Sequence, residues 1–263
     1  MKITIFTSNG IRHKYFINLL SDICEELFVI QEIKIKKNSI TPTRYPKDDI
    51  FTNYFHNVNK AQEKLFGKHN DIYKKNTNIL KIKSGSINNI KLDLLSNYLN
   101  SDYYIIFGAS YIKAPLIHYL IKKKAINIHA GISPYYRGTD CNFWALYDNN
   151  PHLVGSTIHL LSEGLDNGPI LYHSMPNLYS NHFEYTMSSI KSAFYSLCLK
   201  LQNREILKIK PLIQNINNEI RYSVRSQLTE EILRKFLNNK INIKNIKFYN
   251  NMLKDPFFYT DNR

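Results

Sequence analysis

The chain is 263 residues long, carries a formal net charge of +14 and contains three cysteines, Cys24, Cys141 and Cys198. That length accommodates one α/β domain with a complete core plus an appendage, and the odd, widely spaced cysteines suggest neither a disulfide framework nor a zinc site. The opening MKITIFTSNG turns polar too early for a signal peptide and no later apolar run is long enough to span a bilayer, so a cytoplasmic chain without membrane insertion is expected.

In chain order, Lys2 to Thr7 reads as an opening strand and Ile11 to Leu20 as a helix with apolar positions at Ile11, Phe16, Leu19 and Leu20. Glu26 to Ile30 reads as a second strand, Phe51 to Phe66 as a helix, Leu80 to Ile82 as a short strand and Asp93 to Leu99 as a helix. Tyr103 to Phe107 is the central strand, followed by the turn Gly108-Ala-Ser-Tyr-Ile-Lys113. His182 to Lys208 has the spacing of one long helix. Thr229 to Leu237 is a last helix, with Thr229 as its cap and Glu230 and Glu231 in its first turn, and Phe248 to Tyr259 is a short aromatic close. Such alternation implies parallel strands joined by crossover helices. Residues 1–210 form the expected catalytic domain, and 211–263 a short extension with helical content.

Lysines crowd into Lys34 to Lys37, Lys74 to Lys83 and Lys122 to Lys124, but Asn and Ile fill the same stretches, which marks a bias of the whole chain. The lysines read as solvated faces. A polyanion-binding module would interleave basic and aromatic residues on one face, whereas the aromatics here fall at core-like spacing. No stable nucleic-acid partner is expected, although a basic rim helps to collect a phosphate-bearing substrate.

The chemistry gathers in the middle of the chain. The apolar run 125–129 ends on Asn127 and His129, which face one way because strand side chains alternate. An amide and an imidazole thus stand together at a strand's carboxyl end, where ligands bind in open α/β sheets. Gly155 to His159 begins a further strand, Glu163 to Gly168 forms a tight turn carrying Asp166, and Pro169 to Tyr172 is a third apolar run. An Asp166 folded back onto His129 would orient and charge-stabilise the imidazole. His159 reads equally well as a core histidine or a site residue; His118, His152, His173 and His182 read as structural or exposed.

The joint pattern N-x-H, G-x-x-P-x-x-R-G, G-x-T-x-H and L-D-x-G-P-I resembles the folate-dependent formyltransferases. The resemblance implies a doubly wound, mostly parallel, Rossmann-like α/β core with a short C-terminal extension. It implies transfer of a formyl group from N10-formyltetrahydrofolate to an amine, without a metal, and places the catalytic roles on Asn127, His129 and Asp166. Thr157 and His159 fall on a polar pair lining the same site. The folate turn falls on Ser110, Tyr111, Ile112 and Lys113, with Glu163, Gly164, Leu165 and Gly168 closing the other side.

Departures from the family's branches narrow the acceptor. The first turn, Thr7-Ser-Asn-Gly-Ile-Arg-His13, lacks the glycine-rich phosphate loop of the ribonucleotide enzymes, and the pair Arg137-Gly138 is similar to the methionyl-tRNA and aminosugar branches. The residues beyond Lys210 are too few for the barrel domain of the methionyl-tRNA enzymes, and the hydrolytic relative's amino-terminal domain is missing. The expected partner is a nucleotide-linked aminosugar of surface-polysaccharide synthesis, contacted by Ser8, Asn9, Gly10, Arg12 and Arg137; a homodimer is compatible with this. Methionyl-tRNA or another amine is the alternative acceptor, followed by a formyltetrahydrofolate hydrolase or a non-catalytic folate-binding protein.

Overall fold

A computed structural model describes residues 1–34, 41–42, 45–67, 73–239, 241–243 and 246–259. Residues 35–37 of the first lysine run lie outside the described residues, as do parts of the basic stretch 32–70. The elements run β1 (Lys2–Ser8), α1 (Ile11–Ile23), β2 (Glu26–Ile33), α2 (Asp49–Phe66), β3 (Thr77–Lys83), β4 (Tyr103–Phe107), α3 (Leu116–Lys122), β5 (Ile126–His129), β6 (Tyr136–Gly138), α4 (Cys141–Tyr147), β7 (Ser156–Leu160), β8 (Ile170–Met175), α5 (His182–Gln202), β9 (Arg221–Ser223), α6 (Glu230–Asn238) and β10 (Phe257–Phe258). None of the described helices is long and apolar enough to cross a membrane.

Eight strands form one sheet in the order β10-β8-β7-β5-β4-β1-β2-β3. The block from β3 to β5 is parallel, and its order reverses between β1 and β4, which opens a crevice at the carboxyl ends of those strands. This is the doubly wound core read from the sequence. The sheet departs from full parallelism at β7, which runs antiparallel to both β5 and β8.

Alternation along each strand divides the core. Ile3, Ile5, Ile105, Phe107, Ile126, Ile128 and Ile158 turn to one face and pack with Phe16, Ile17 and Leu20 of α1 and Phe194, Leu197 and Leu201 of α5. Phe16 stacks on Phe194 with centroids 4.2 Å apart, and Phe107 meets Phe194 edge-on at 4.9 Å. Phe6, Ile30, Tyr104 and Ile106 turn the other way, against Leu116, Ile117 and Leu120 of α3. A third cluster joins α2, α4 and α6 through Phe51, Tyr54, Phe143, Trp144, Leu233 and Phe236, so the C-terminal extension shares a core with the rest.

Local capping explains several boundaries. Asp48 accepts from the Phe51 amide at 2.8 Å to open α2, and Asn181 accepts from Phe183 at 2.8 Å to open α5. The long helix expected over 182–208 ends at Gln202, because Arg204 adopts φ +54° and the Glu205 amide closes on Lys200 O at 2.9 Å. Lys124 and Asn149 end α3 and α4 in the same left-handed way, with Ala125 closing on Leu120 O and Asn150 on Ala145 O. The helix expected at 93–99 is a 3-10 helix, Leu92–Tyr98. The closing aromatic stretch supplies β10, which pairs with β8, and β9 pairs with β6 in a small second sheet.

Candidate active site

The antiparallel pairing of β7 with β5 builds the site. Its register sets Asn127 opposite His159 and His129 opposite Thr157, with all four on the face away from Ile126, Ile128 and Ile158. Asn127 Nδ2 consequently lies 2.9 Å from His159 Nε2. Thr157 donates to Gly131 O at 2.6 Å and accepts from the Ser133 amide at 2.8 Å, which pins the chain as it leaves β5. Gly138 ends β6 at φ +94°, and an added Cβ would stand 2.0 Å from Ser223 O, so only glycine admits the β9 segment here.

Asp166 arrives from the β7–β8 loop with φ +50°. Its Oδ2 lies 3.2 Å from His129 Nδ1, and its Oδ1 accepts from Asn127 Nδ2 at 3.4 Å and stands 3.9 Å from His159 Nε2. The other nitrogen of His129, Nε2, faces the Tyr136 carbonyl at 3.1 Å. Both ring nitrogens therefore face acceptors, a setting that favours the doubly protonated ring. Burial alone would lower the His129 pKa, but the Asp166 carboxylate, with Cys141 beside it, raises it well above the ordinary histidine value. Burial would raise Asp166, and the His129 and His159 rings hold it well below the usual carboxylate range instead.

The three residues open on a cavity of about 460 Å³. Part of its lining is apolar, from Ile106, Ile112, Ile117, Leu161 and Leu165, together with Gly164, Ser110 and Tyr111. The Tyr111 hydroxyl donates to Glu163 O, tying the 108–113 turn to the loop that carries Asp166. The buried Glu32 carboxylate shapes this turn by accepting from the Ser110 amide at 2.6 Å and the Gly85 amide at 2.7 Å, and Asn88 accepts from the Lys113 amide at 2.7 Å. Of the expected turn donors, Ser110 and Lys113 are thus committed within the chain. Lys113, Glu163 and Gly168 are outside the cavity lining, and Gly168 packs where a Cβ would meet Leu160 O at 1.8 Å.

The rest of the lining was not legible in the sequence. Tyr45, Tyr54, Phe143, Phe183 and Phe236 line the cavity, with Arg12, Lys34, Asp140 and Arg225. His182 and Thr139 also line it, and the buried His182 Nε2 and Thr139 Oγ1 have no hydrogen-bond partner among the described residues. His182, read from sequence as structural or exposed, is a cavity residue. His13 lines the cavity too, against Phe107 and Thr7 Oγ1. No motif marks these residues, which come from segments scattered between Arg12 and Phe236.

Of the residues expected to contact an acceptor, Arg12 lines the cavity and lies over the Phe107 ring. Asn9 exchanges two bonds with the Lys34 backbone, Ser8 donates to Glu32 O, and Gly10 precedes α1; these three brace β2 and α1 outside the lining. Arg137 also lies outside it, bonded to Glu219 at 2.9 Å and Leu165 O at 3.0 Å and stacked over Tyr222. Its place in the structure is that of a brace on the Asp166 loop. Among the described residues, no group of three or more His, Cys, Asp or Glu side chains is arranged to hold a metal.

Residues 55–195 match the Formyl transferase family, more than half of the chain. The chain belongs to that family. A methionyl-tRNA formyltransferase of Thermodesulfovibrio yellowstonii is 38% identical over 73 residues, a segment covering 28% of this chain and 23% of that protein, less than a quarter of the relative's length. Among solved structures, a sugar N-formyltransferase from a Shewanella species aligns over 86% of this chain and 78% of its own, with TM-score 0.53 and 14% identity. A phosphoribosylglycinamide formyltransferase from Anaplasma phagocytophilum aligns over 81% of this chain and 92% of its own, with TM-score 0.51 and 15% identity. These likenesses establish a shared Rossmann-like fold.

Proposed function

We propose that the protein transfers the formyl group of N10-formyltetrahydrofolate to the amine of a nucleotide-linked aminosugar, in surface-polysaccharide synthesis in the cytoplasm. The supporting observation is one cavity whose lining combines the His129–Asp166 pair with apolar, aromatic and cationic side chains. Apolar side chains such as Ile112 and Leu161 suit a flat reduced pterin, and the sugar N-formyltransferase from Shewanella shares the fold. Aromatic faces suit a nucleoside base, and Arg12, Lys34 and Arg225 suit a diphosphate.

The chemistry follows from the protonation states. As the amine nitrogen bonds to the formyl carbon, Asp166, kept ionised, takes the proton that the amine sheds, directly or through a water, and that proton passes to N10 as the carbon–N10 bond breaks and tetrahydrofolate leaves. His129 keeps an N–H on Nε2, resting on Tyr136 O, for the formyl oxygen as that oxygen gains charge. Asn127 can join it by giving up its longer bond, the 3.4 Å contact to Asp166. Each well-placed donor of this type is worth about 3 kcal/mol in the transition state. His159, through Asn127, fixes the direction of the carboxamide.

The test is a panel of nucleotide-linked aminosugars with N10-formyltetrahydrofolate, following tetrahydrofolate release and formamide formation. Turnover on at least one such sugar, and poor reaction of the same sugar without its nucleotide, is expected, since the phosphates supply the binding energy that positions the amine. Methionyl-tRNA is the second acceptor to include, favoured by the 73-residue match to a methionyl-tRNA formyltransferase. Efficient formylation of methionyl-tRNA with none of any sugar overturns the aminosugar reading.

A further inference from the structure

Glu163, Gly164, Leu165 and Asn167 of the loop bearing Asp166 are exposed, and Asp166 holds a left-handed backbone that a non-glycine residue adopts only at a cost. Donors from elsewhere in the chain capture its carbonyls. Tyr111 donates to Glu163 O, Arg137 to Leu165 O, and Gln214 Nε2 to both Asp166 O at 2.9 Å and Gly168 O at 2.7 Å.

Gln214 reaches the loop from the C-terminal extension, and the chain on either side of it is tied to the core. Leu212 and Ile170 exchange backbone bonds at 2.7 and 2.8 Å, Glu219 holds Arg137, and the Ile220 and Arg221 amides converge on Tyr135 O. The Gln214 side chain is buried, and its orientation is dictated by its partners. An amide oxygen placed against two carbonyl oxygens would repel both, so Nε2 must face the loop.

We propose that Gln214 is a positioning residue of the active site: its two bonds hold the Asp166 turn so that the carboxylate meets His129, and the segment 212–223 acts as a splint for that turn. This rests on the reading of Asp166 and His129 as reacting groups, but its first readout does not depend on which acceptor is used. The geometry is asymmetric. Asn127, His129 and His159 sit in paired strands, whereas Asp166 keeps its place only while side chains from other segments hold its loop.

The experiment uses the full chain with labelled histidine and follows the His129 titration by NMR in the absence of substrate. Gln214→Met keeps the size of the side chain and removes both donors. The His129 midpoint is expected to fall by about one unit or more as the carboxylate moves away. Turnover on whichever acceptor the panel identifies should drop about tenfold to hundredfold. Thr229→Ala, which removes the α6 cap and leaves the loop untouched, is the control: it should lower thermal stability with the His129 midpoint unchanged. Should Gln214→Met not fold, Gln214→Asn, one methylene too short to reach both carbonyls, reads the same quantity. An unchanged His129 midpoint in a folded Gln214 variant overturns the proposal, even where turnover is lost; a native chain inactive on every acceptor overturns the formyl-transfer reading and leaves the midpoint test standing.

Discussion

The strand pair β5–β7 and the β7–β8 loop each deliver candidate reacting groups to one point, by opposite means. On the strands, backbone register fixes Asn127 against His159 and His129 against Thr157, and the surrounding residues are almost fully buried. On the loop, Asp166 stands among exposed neighbours and depends on bonds from Tyr111, Arg137 and Gln214. The strand half is a product of folding, and the loop half is assembled on top of it. Damage to the strands should therefore show first in stability, and damage to the loop first in turnover.

The sharpest probe of this contrast is Asp166→Asn, which keeps the shape of the loop and removes its charge. Turnover should fall about a hundredfold to ten-thousandfold. The pair also predicts a pH signature. His129 sits above its ordinary value and Asp166 below, so the stabilisation is complete between about pH 4 and 6.5. It fades as pH rises through the His129 value or falls through that of Asp166. Urea unfolding across pH should show both limbs in the native chain and neither in Asp166→Asn.

A smaller effect of the same kind is expected from Gly168→Ala, whose Cβ would meet Leu160 O at 1.8 Å and push the loop aside. Turnover should fall up to about a hundredfold, for a stability loss near 1 kcal/mol by urea denaturation. Thr157→Val should reverse that ratio: it orphans the Ser133 amide and the Gly131 carbonyl in the interior, costing about 1–3 kcal/mol while turnover changes tenfold or less. If Thr157→Val abolishes turnover in a stable protein, the contrast fails. Tyr111→Phe should be the mildest, below about 1 kcal/mol because the lost bond is exposed, with a modest rise in the KM for the folate substrate.

The parts of the molecule that obey short-range rules were readable in advance. β1, β2 and β4, and α1, α2 and α6, follow from apolar periodicity and capping residues, and the three reacting groups lay within one dense motif. What escaped depended on distant partners. The stops of α3, α4 and α5 use Lys124, Asn149 and Arg204 in a conformation usually given to glycine, so no glycine announces them. β6 and β9 are three residues each and exist through their mutual pairing. The brace role of Arg137 required knowing that Glu219 and Leu165 O would both come within its reach, and the aromatic part of the cavity lining unites α2, α4, α5 and α6.

The path between β5 and β7 carries a last consequence. Residues 130–155 leave the sheet at His129 and re-enter at the neighbouring position, and on the way they supply Gly138, Thr139, Asp140 and Phe143 to one wall of the cavity. This excursion also carries Tyr136, whose carbonyl faces His129 Nε2 at 3.1 Å, and Cys141, which lies beside the same ring, so a change to this wall of the cavity is felt at the histidine as well.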